Sequence, residues 1–83
     1  MELQALIKSR LEVAFHPELL KVVDESERHH GHLAHEQGAK HFAIEIKSAV
    51  FVGLSRVDIH RKIYALFTDV MPHPLHALKI KCY

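Results

Sequence analysis

The segment from residue 42 to residue 47 constrains the fold of this chain more than any other. Its apolar side chains, Phe42, Ile44 and Ile46, alternate with side chains that are small or charged. A period of two is typical of a β-strand with one buried face and one exposed face. Such a strand needs neighbouring strands for its backbone hydrogen bonds and a second layer for its apolar face.

Two segments have the spacing of amphipathic helices, which could supply that second layer. Residues 1–15 place apolar side chains at helical intervals, and the helix is expected to end at His16, which precedes a proline. A second helix is expected to begin with Ser55 as its N-cap and to stop before Pro72. Its apolar stripe is Ile59, Ile63, Leu66, Phe67 and Val70.

Two further strands are predicted, at residues 19–23 and 75–83, and the alternation in the last one places His76 on the same face as Leu78 and Ile80. The order helix, strand, strand, helix, strand predicts a two-layer α+β domain, in which the helices cover one face of a three-stranded sheet and the first two strands are antiparallel. With 83 residues, the chain is expected to form one domain over residues 1–83. The predicted core is Leu6, Leu11, Phe42, Ile44, Ile46, Ile63, Phe67, Leu78 and Ile80.

The composition argues against three classes of protein: dedicated nucleic-acid binders, secreted disulfide-bonded domains and membrane proteins. The formal net charge is +1, whereas a dedicated phosphate-backbone binder usually has a stronger basic excess. The single cysteine, Cys82, allows no intrachain disulfide, which favours a reducing compartment. No apolar run approaches a membrane span of about 20 residues, and the N-terminal residues do not resemble a signal peptide. We therefore expect a cytoplasmic protein with no membrane partner.

Histidine is the residue type that could carry chemistry, because nine are present and four lie in the polar stretch from residue 27 to residue 40: His29, His30, His32 and His35. Neutral imidazole is a common metal ligand, but the alternative is a solvated loop whose histidines bind nothing. A zinc site in this loop is weakly indicated, since the loop has no thiolate. His41 is expected to make a structural hydrogen bond. No phosphate-binding glycine loop or nucleophile–base pair is evident, so a binding module is expected rather than an enzyme.

The succession of short motifs along the chain resembles the BolA family. The motifs are Asp24-Glu25-Ser26, Arg28-His29, His41-Phe42, Phe51-x-Gly53-x-Ser55, His60-Arg61-x-x-Tyr64 and His76-Ala77-Leu78. The sequence departs from the family pattern at Lys40, where Ser is usual, and at Ile59, where Arg is usual. The resemblance implies a KH-like (class II) α-β-β-α-β fold with a mixed sheet.

The resemblance also implies an adaptor that binds a monothiol glutaredoxin and, with glutathione, shares a [2Fe–2S] cluster. It implies His76 as one ligand and a loop histidine as another. His29 keeps the family interval from Asp24-Glu25-Ser26, whereas His32 keeps a His-x-Gly-His pattern. A [2Fe–2S] cluster needs four ligands, and one cysteine cannot supply an all-cysteine site, so the partner would bring the sulfurs. No cluster is expected in the isolated protein, which is expected to be a monomer or a weak dimer.

The rival hypothesis is a nucleic-acid-binding transcriptional regulator of stress response and cell morphology, which the resemblance also allows. KH domains clamp nucleic acid with a GxxG loop, and the sequence contains no GxxG. Arg56, Arg61 and Lys62 on the second helix could contact phosphates, although a solvated helix face also explains them and is the favoured interpretation. We expect any DNA binding to be weak and salt-sensitive.

Overall fold

The computed structural model describes residues 2–26 and 39–83, and the predicted ligands His29 and His32 lie outside those ranges. The elements are α1 (Leu3–Phe15), β1 (Leu19–Asp24), β2 (Lys40–Lys47), α2 (Arg56–Tyr64) and β3 (Leu75–Cys82). Two short 3₁₀ turns, Ala49–Phe51 and Ala65–Phe67, precede and follow α2. This order confirms the predicted α-β-β-α-β arrangement.

The sheet has the order β1-β2-β3, with β1 antiparallel and β3 parallel to β2. It is therefore the mixed sheet that the family resemblance implied, and β1 and β2 are antiparallel as the sequence pattern predicted. Val22 and Ile80 flank Ile44 from the two sides, so apolar side chains are in register across all three strands.

The register between β2 and β3 shifts near the start of both strands. Lys40 lies opposite Leu75, but His41 lies opposite Ala77, so β3 contains one extra residue, His76, between the two pairs. An extra residue of this kind is a β-bulge, which locally bends the strand and redirects a side chain.

The core lies between the two helices and one face of the sheet. Its fully buried members are Ile7, Leu11, Ile44, Ile46, Ile63, Phe67 and Leu75. Phe42 and Leu78 are also buried, as predicted, whereas Leu6 and Ile80 are only partly buried at the margin of the core. Ile7 takes the place predicted for Leu6 because the buried stripe of α1 follows the spacing Ile7, Leu11 and Phe15.

The predicted boundaries of α1 are close to those observed. The helix ends at Phe15, and His16 caps it in the left-handed conformation with φ of 44°. The Ser48 hydroxyl donates to the Phe15 carbonyl at 2.6 Å, and the Phe15 and Phe51 rings lie 4.9 Å apart. These contacts attach the end of α1 to the connection between β2 and α2.

Ser55 is the N-cap of α2, as predicted, and its side chain accepts from the Asp58 N–H at 3.1 Å. The α-helix is shorter than its apolar stripe suggested: the stripe extends to Val70, but regular α-helix ends at Tyr64. The Val70 N–H donates to the Phe67 carbonyl, at the i→i+3 spacing, and the Leu66 carbonyl accepts instead from the Arg10 guanidinium at 2.7 Å.

Within residues 2–26 and 39–83, no helix has both the length and the apolar character needed to cross a membrane.

Replacing Phe67 with Ala is expected to lower the free energy of unfolding by about 3–5 kcal/mol, because its side chain is fully buried and its removal leaves a cavity. Urea denaturation followed by circular dichroism measures this loss. Val52→Ala is the matched control, since Val52 is 82% exposed and a surface truncation should change stability by less than about 0.5 kcal/mol. Equal effects of the two substitutions would contradict the assignment of Phe67 to the core.

Candidate functional site

His76 is an exposed residue at the bulge that opens β3. Its ring lies 5.3 Å from that of His41, centroid to centroid, at an interplanar angle of 63°. The prediction that His76 shares the face of Leu78 and Ile80 is wrong, since Leu78 is buried in the core and His76 is exposed. The physical reason is the extra residue in β3, which interrupts the alternation on which the prediction depended.

The backbone of His41 is held through both its N–H and its carbonyl, on the side of β1. Its N–H donates to the Ser26 hydroxyl at 3.0 Å, and its carbonyl accepts from the Glu25 N–H at 2.7 Å. The next residue, Phe42, is 3% exposed and packs in the core. His41 therefore occupies a well-anchored position at the beginning of β2.

The polar segment of residues 27–38 begins and ends beside this pair of rings. It follows Ser26, which is bonded to His41, and it leads through Ala39 to Lys40, whose N–H donates to the Pro74 carbonyl at 2.9 Å. Pro74 stands two residues before His76.

An open cleft of about 380 Å³ adjoins the His41 and His76 rings. Phe42, Met71 and Leu78 contribute its apolar lining. Polar groups also line it: the Lys79 ammonium lies 3.4 Å from the Glu25 carboxylate. The two imidazoles are thus accessible from outside the protein.

Tyr64, the last residue of α2, lines the same cleft. Its hydroxyl donates to the Leu78 carbonyl at 2.7 Å. Because β3 is an edge strand, this bond satisfies a backbone carbonyl that the sheet ladder leaves on the outer side. The bond attaches α2 to the strand that carries His76.

Asp24 lies at the end of β1, next to the anchor of His41. Its burial raises its pKa, but hydrogen bonds from the side chain and backbone of Ser26, together with the positive charges of Lys40 and His41, outweigh that effect. The net result is a pKa below the ordinary value of an Asp, so the carboxylate is ionised at neutral pH. An ionised Asp24 strengthens the hydrogen bonds that hold Ser26.

The described ranges do not contain a complete metal site. Among residues 2–26 and 39–83, no three histidine, cysteine, aspartate or glutamate side chains are placed to hold a metal ion together. Cys82 is a free thiol at the far end of β3, six residues from His76 and so roughly 20 Å away along the strand.

The candidate nucleic-acid residues are exposed on α2 but do not share one face. At about 100° per residue, Arg56 and Arg61 project about 140° apart, and Lys62 projects about 100° beyond Arg61. All three are exposed. The helix therefore presents separate cations in different directions.

The family model for BolA-like protein matches residues 11–83. The chain belongs to the BolA family. The DNA-binding transcriptional regulator BolA of Haemophilus influenzae is 31% identical across the whole of this chain and 78% of its own length. Human BolA-like protein 1 is 35% identical over 94% of this chain, which spans only 55% of that protein.

Solved BolA structures share the fold. The BolA domain of SufE1 from Arabidopsis thaliana superposes with a TM-score of 0.85 at 36% identity, covering 99% of this chain and 91% of that domain's chain. BolA1 from the same plant superposes with a TM-score of 0.82 at 28% identity, covering 99% of this chain and 90% of the other. The family and the α+β architecture implied by the motifs are thereby confirmed.

Sequence reasoning missed the ring contact between His41 and His76. It assigned His41 a structural hydrogen bond, and the backbone of His41 does make such bonds. No interval in the sequence could reveal the ring contact, because it depends on the register between two parallel strands that are 35 residues apart, from position 41 to position 76. The one available signal was position: His41 directly precedes one predicted strand, and His76 lies near the start of another.

Replacing Ser26 with Ala is expected to raise the pKa of Asp24 toward its ordinary value, because the hydroxyl that lowers it is removed. A ¹³C NMR titration of the Asp24 carboxyl carbon measures the change. Ser9→Ala, at an exposed position of α1, is the control and should leave this pKa unaltered. An unchanged pKa in the Ser26 variant would contradict the described bonding.

The same substitution has a defined effect on stability. Because the folded-state pKa of Asp24 is lowered, its stabilising contribution is present above the unfolded-state pKa of about 3.9 and is lost as the pH falls through the folded-state value. The part of the Ser26→Ala destabilisation that comes from Asp24 should therefore be present at pH 7 and disappear in acid. A pH-independent part from the His41 N–H, which loses its acceptor, should remain.

Proposed function

We propose that this BolA-family chain is an adaptor that binds a monothiol glutaredoxin and shares a [2Fe–2S] cluster with it. The adaptor would serve the assembly or trafficking of iron–sulfur clusters, or iron and redox regulation. One observation carries the proposal: the exposed imidazole of His76 adjoins an open cleft at the place where the segment with His29 and His32 begins and ends.

The ligand count supports a shared cluster. A [2Fe–2S] cluster takes four ligands, and His₂Cys₂ is a known alternative to four thiolates. Described residues of this chain supply His76 but no group of three candidate ligands, and Cys82 is distant from His76. A partner with a cysteine, together with glutathione, would contribute the thiolates, and His29 or His32 would contribute the second imidazole.

The accessibility of His76 supports the same arrangement. A residue that binds a cluster held between two proteins has to reach the protein surface before the partner arrives. His76 meets this requirement because it is exposed, whereas the Leu78 that follows it is buried. The bulge thus presents a ligand outward without removing an apolar residue from the core.

The remaining properties of the adaptor follow from this role. We propose a cytoplasmic binding module that is not an enzyme, and a free form that is a monomer or a weak dimer without a bound cluster. The single cysteine of the chain is in keeping with a reducing compartment.

Reconstitution with a monothiol glutaredoxin, glutathione, ferrous iron and sulfide tests the proposal. Wild-type protein should form a heterodimer with one [2Fe–2S] cluster, whose visible circular dichroism differs from that of the glutaredoxin homodimer, because imidazole ligation alters cluster electronics. His76→Ala should abolish that distinct spectrum with little change in thermal stability, since the side chain is exposed.

His73→Ala is the matched control, because His73 is exposed in the turn just before β3. It should give the wild-type cluster spectrum. A wild-type spectrum from His76→Ala would refute ligation by His76. His29→Ala and His32→Ala, made singly, identify the second imidazole, and the loop assignment is refuted if neither alters the spectrum.

A DNA-binding regulator is the second candidate, because the relative in Haemophilus influenzae bears that name and three cations are exposed on α2. If Arg56, Arg61 and Lys62 each contact a phosphate, affinity for duplex DNA should fall about 40-fold between 50 and 200 mM salt. Replacing all three with Gln should remove most of this salt dependence, as measured by fluorescence anisotropy. Sequence-selective binding at physiological salt that the triple variant loses would favour this candidate over the adaptor.

A further inference from the structure

We propose that His41 is a positioning residue for His76, whose imidazole it holds in the orientation that a shared cluster requires. The inference rests on the proposed function for its biological meaning. The ring contact on which it is built belongs to the free protein and can be tested without a partner.

His76 needs such a restraint. Its side chain is exposed at a bulge in an edge strand, so core packing does not select its rotamer. An sp³ side-chain torsion has three staggered wells, and solvent alone selects weakly among them. A ligand that samples all three is competent to bind for only part of the time.

His41 is suited to provide the restraint because it is fixed at its own backbone. The Ser26 hydroxyl and the Glu25 N–H hold its N–H and carbonyl, and β2 is paired on both sides. The side chain of His41 is half-buried, and the neighbouring Phe42 is packed in the core. The His41 ring is therefore well placed to restrain the exposed side chain of His76.

The geometry of the ring pair is that of an attractive aromatic contact. Rings attract one another in tilted arrangements with centroids about 4.5–7 Å apart. The His41 and His76 centroids are 5.3 Å apart with planes inclined by 63°, which presents the edge of one ring to the face of the other. The bulge brings this contact about, because the register pairs His41 with Ala77 and leaves His76 as the extra residue beside it.

The size of the expected effect follows from the rotamer count. If loss of the His41 ring releases His76 from one χ1 well into three, the competent fraction falls to about one third, and the apparent affinity for the cluster-bound partner falls about threefold. Phenylalanine at position 41 keeps a ring of similar shape and should preserve most of the restraint. His41→Ala and His41→Phe thus separate the role of the ring from that of its nitrogens.

NMR of the free protein tests the positioning directly. Wild type and His41→Phe should show one χ1 rotamer of His76 from three-bond couplings, with cross-relaxation between the two rings. His41→Ala should show rotamer averaging, and His73→Ala should match wild type. Thermal unfolding of each variant confirms that it is folded. Identical His76 couplings in wild type and His41→Ala would overturn the proposal.

The reconstituted heterodimer provides the second measurement. His41→Ala should keep the wild-type spectral shape, because His76 still ligates, while binding the glutaredoxin about threefold more weakly. Complete loss of the spectrum, as expected for His76→Ala, would overturn positioning in favour of direct ligation by His41. If wild type forms no cluster with any monothiol glutaredoxin, the proposed function fails, and the NMR couplings still decide whether His41 positions His76.

Discussion

The pairing of β2 with strands on both of its sides is the constraint on which the rest of the molecule depends. Because β2 is central, its backbone groups are satisfied by β1 and β3, and its alternation sends Phe42, Ile44 and Ile46 into the core. The same alternation turns His41 away from the core at the start of the strand. One strand thus organises both the packing and the candidate site.

The helices complete this arrangement through a few contacts outside the core. The Arg10 guanidinium bonds both oxygens of Asp69, at 2.7 and 2.9 Å, and also the Leu66 carbonyl, so α1 is attached to the segment after α2. The same guanidinium lies 6.0 Å from the centre of the buried Phe67 ring. Tyr64 attaches the end of α2 to β3. The position of β3, and with it His76, is therefore determined from both layers.

The candidate site combines a rigid part and an exposed part. The anchored backbone of His41, with Ser26 and the ionised Asp24, forms the rigid part. The exposed part is His76 beside its cleft. For the adaptor proposed above, an exposed side chain that is already held in place would lower the entropic cost of association with the partner.

Much of this molecule was determined by the sequence alone. The order of helices and strands, the N-cap at Ser55 and the end of α1 at Phe15 all follow from local patterns, since alternation, helical spacing and proline each act on neighbouring residues. The motifs also placed the chain in the BolA family, and that resemblance singled out His76 as a predicted cluster ligand. Tertiary structure alone decided that His76 faces outward, that it meets His41, and that α2 ends at Tyr64. Those outcomes depend on a register shift between parallel strands and on the hydrogen bond that the Arg10 guanidinium donates to the Leu66 carbonyl. Contacts between residues so distant in the chain leave no local periodicity in the sequence.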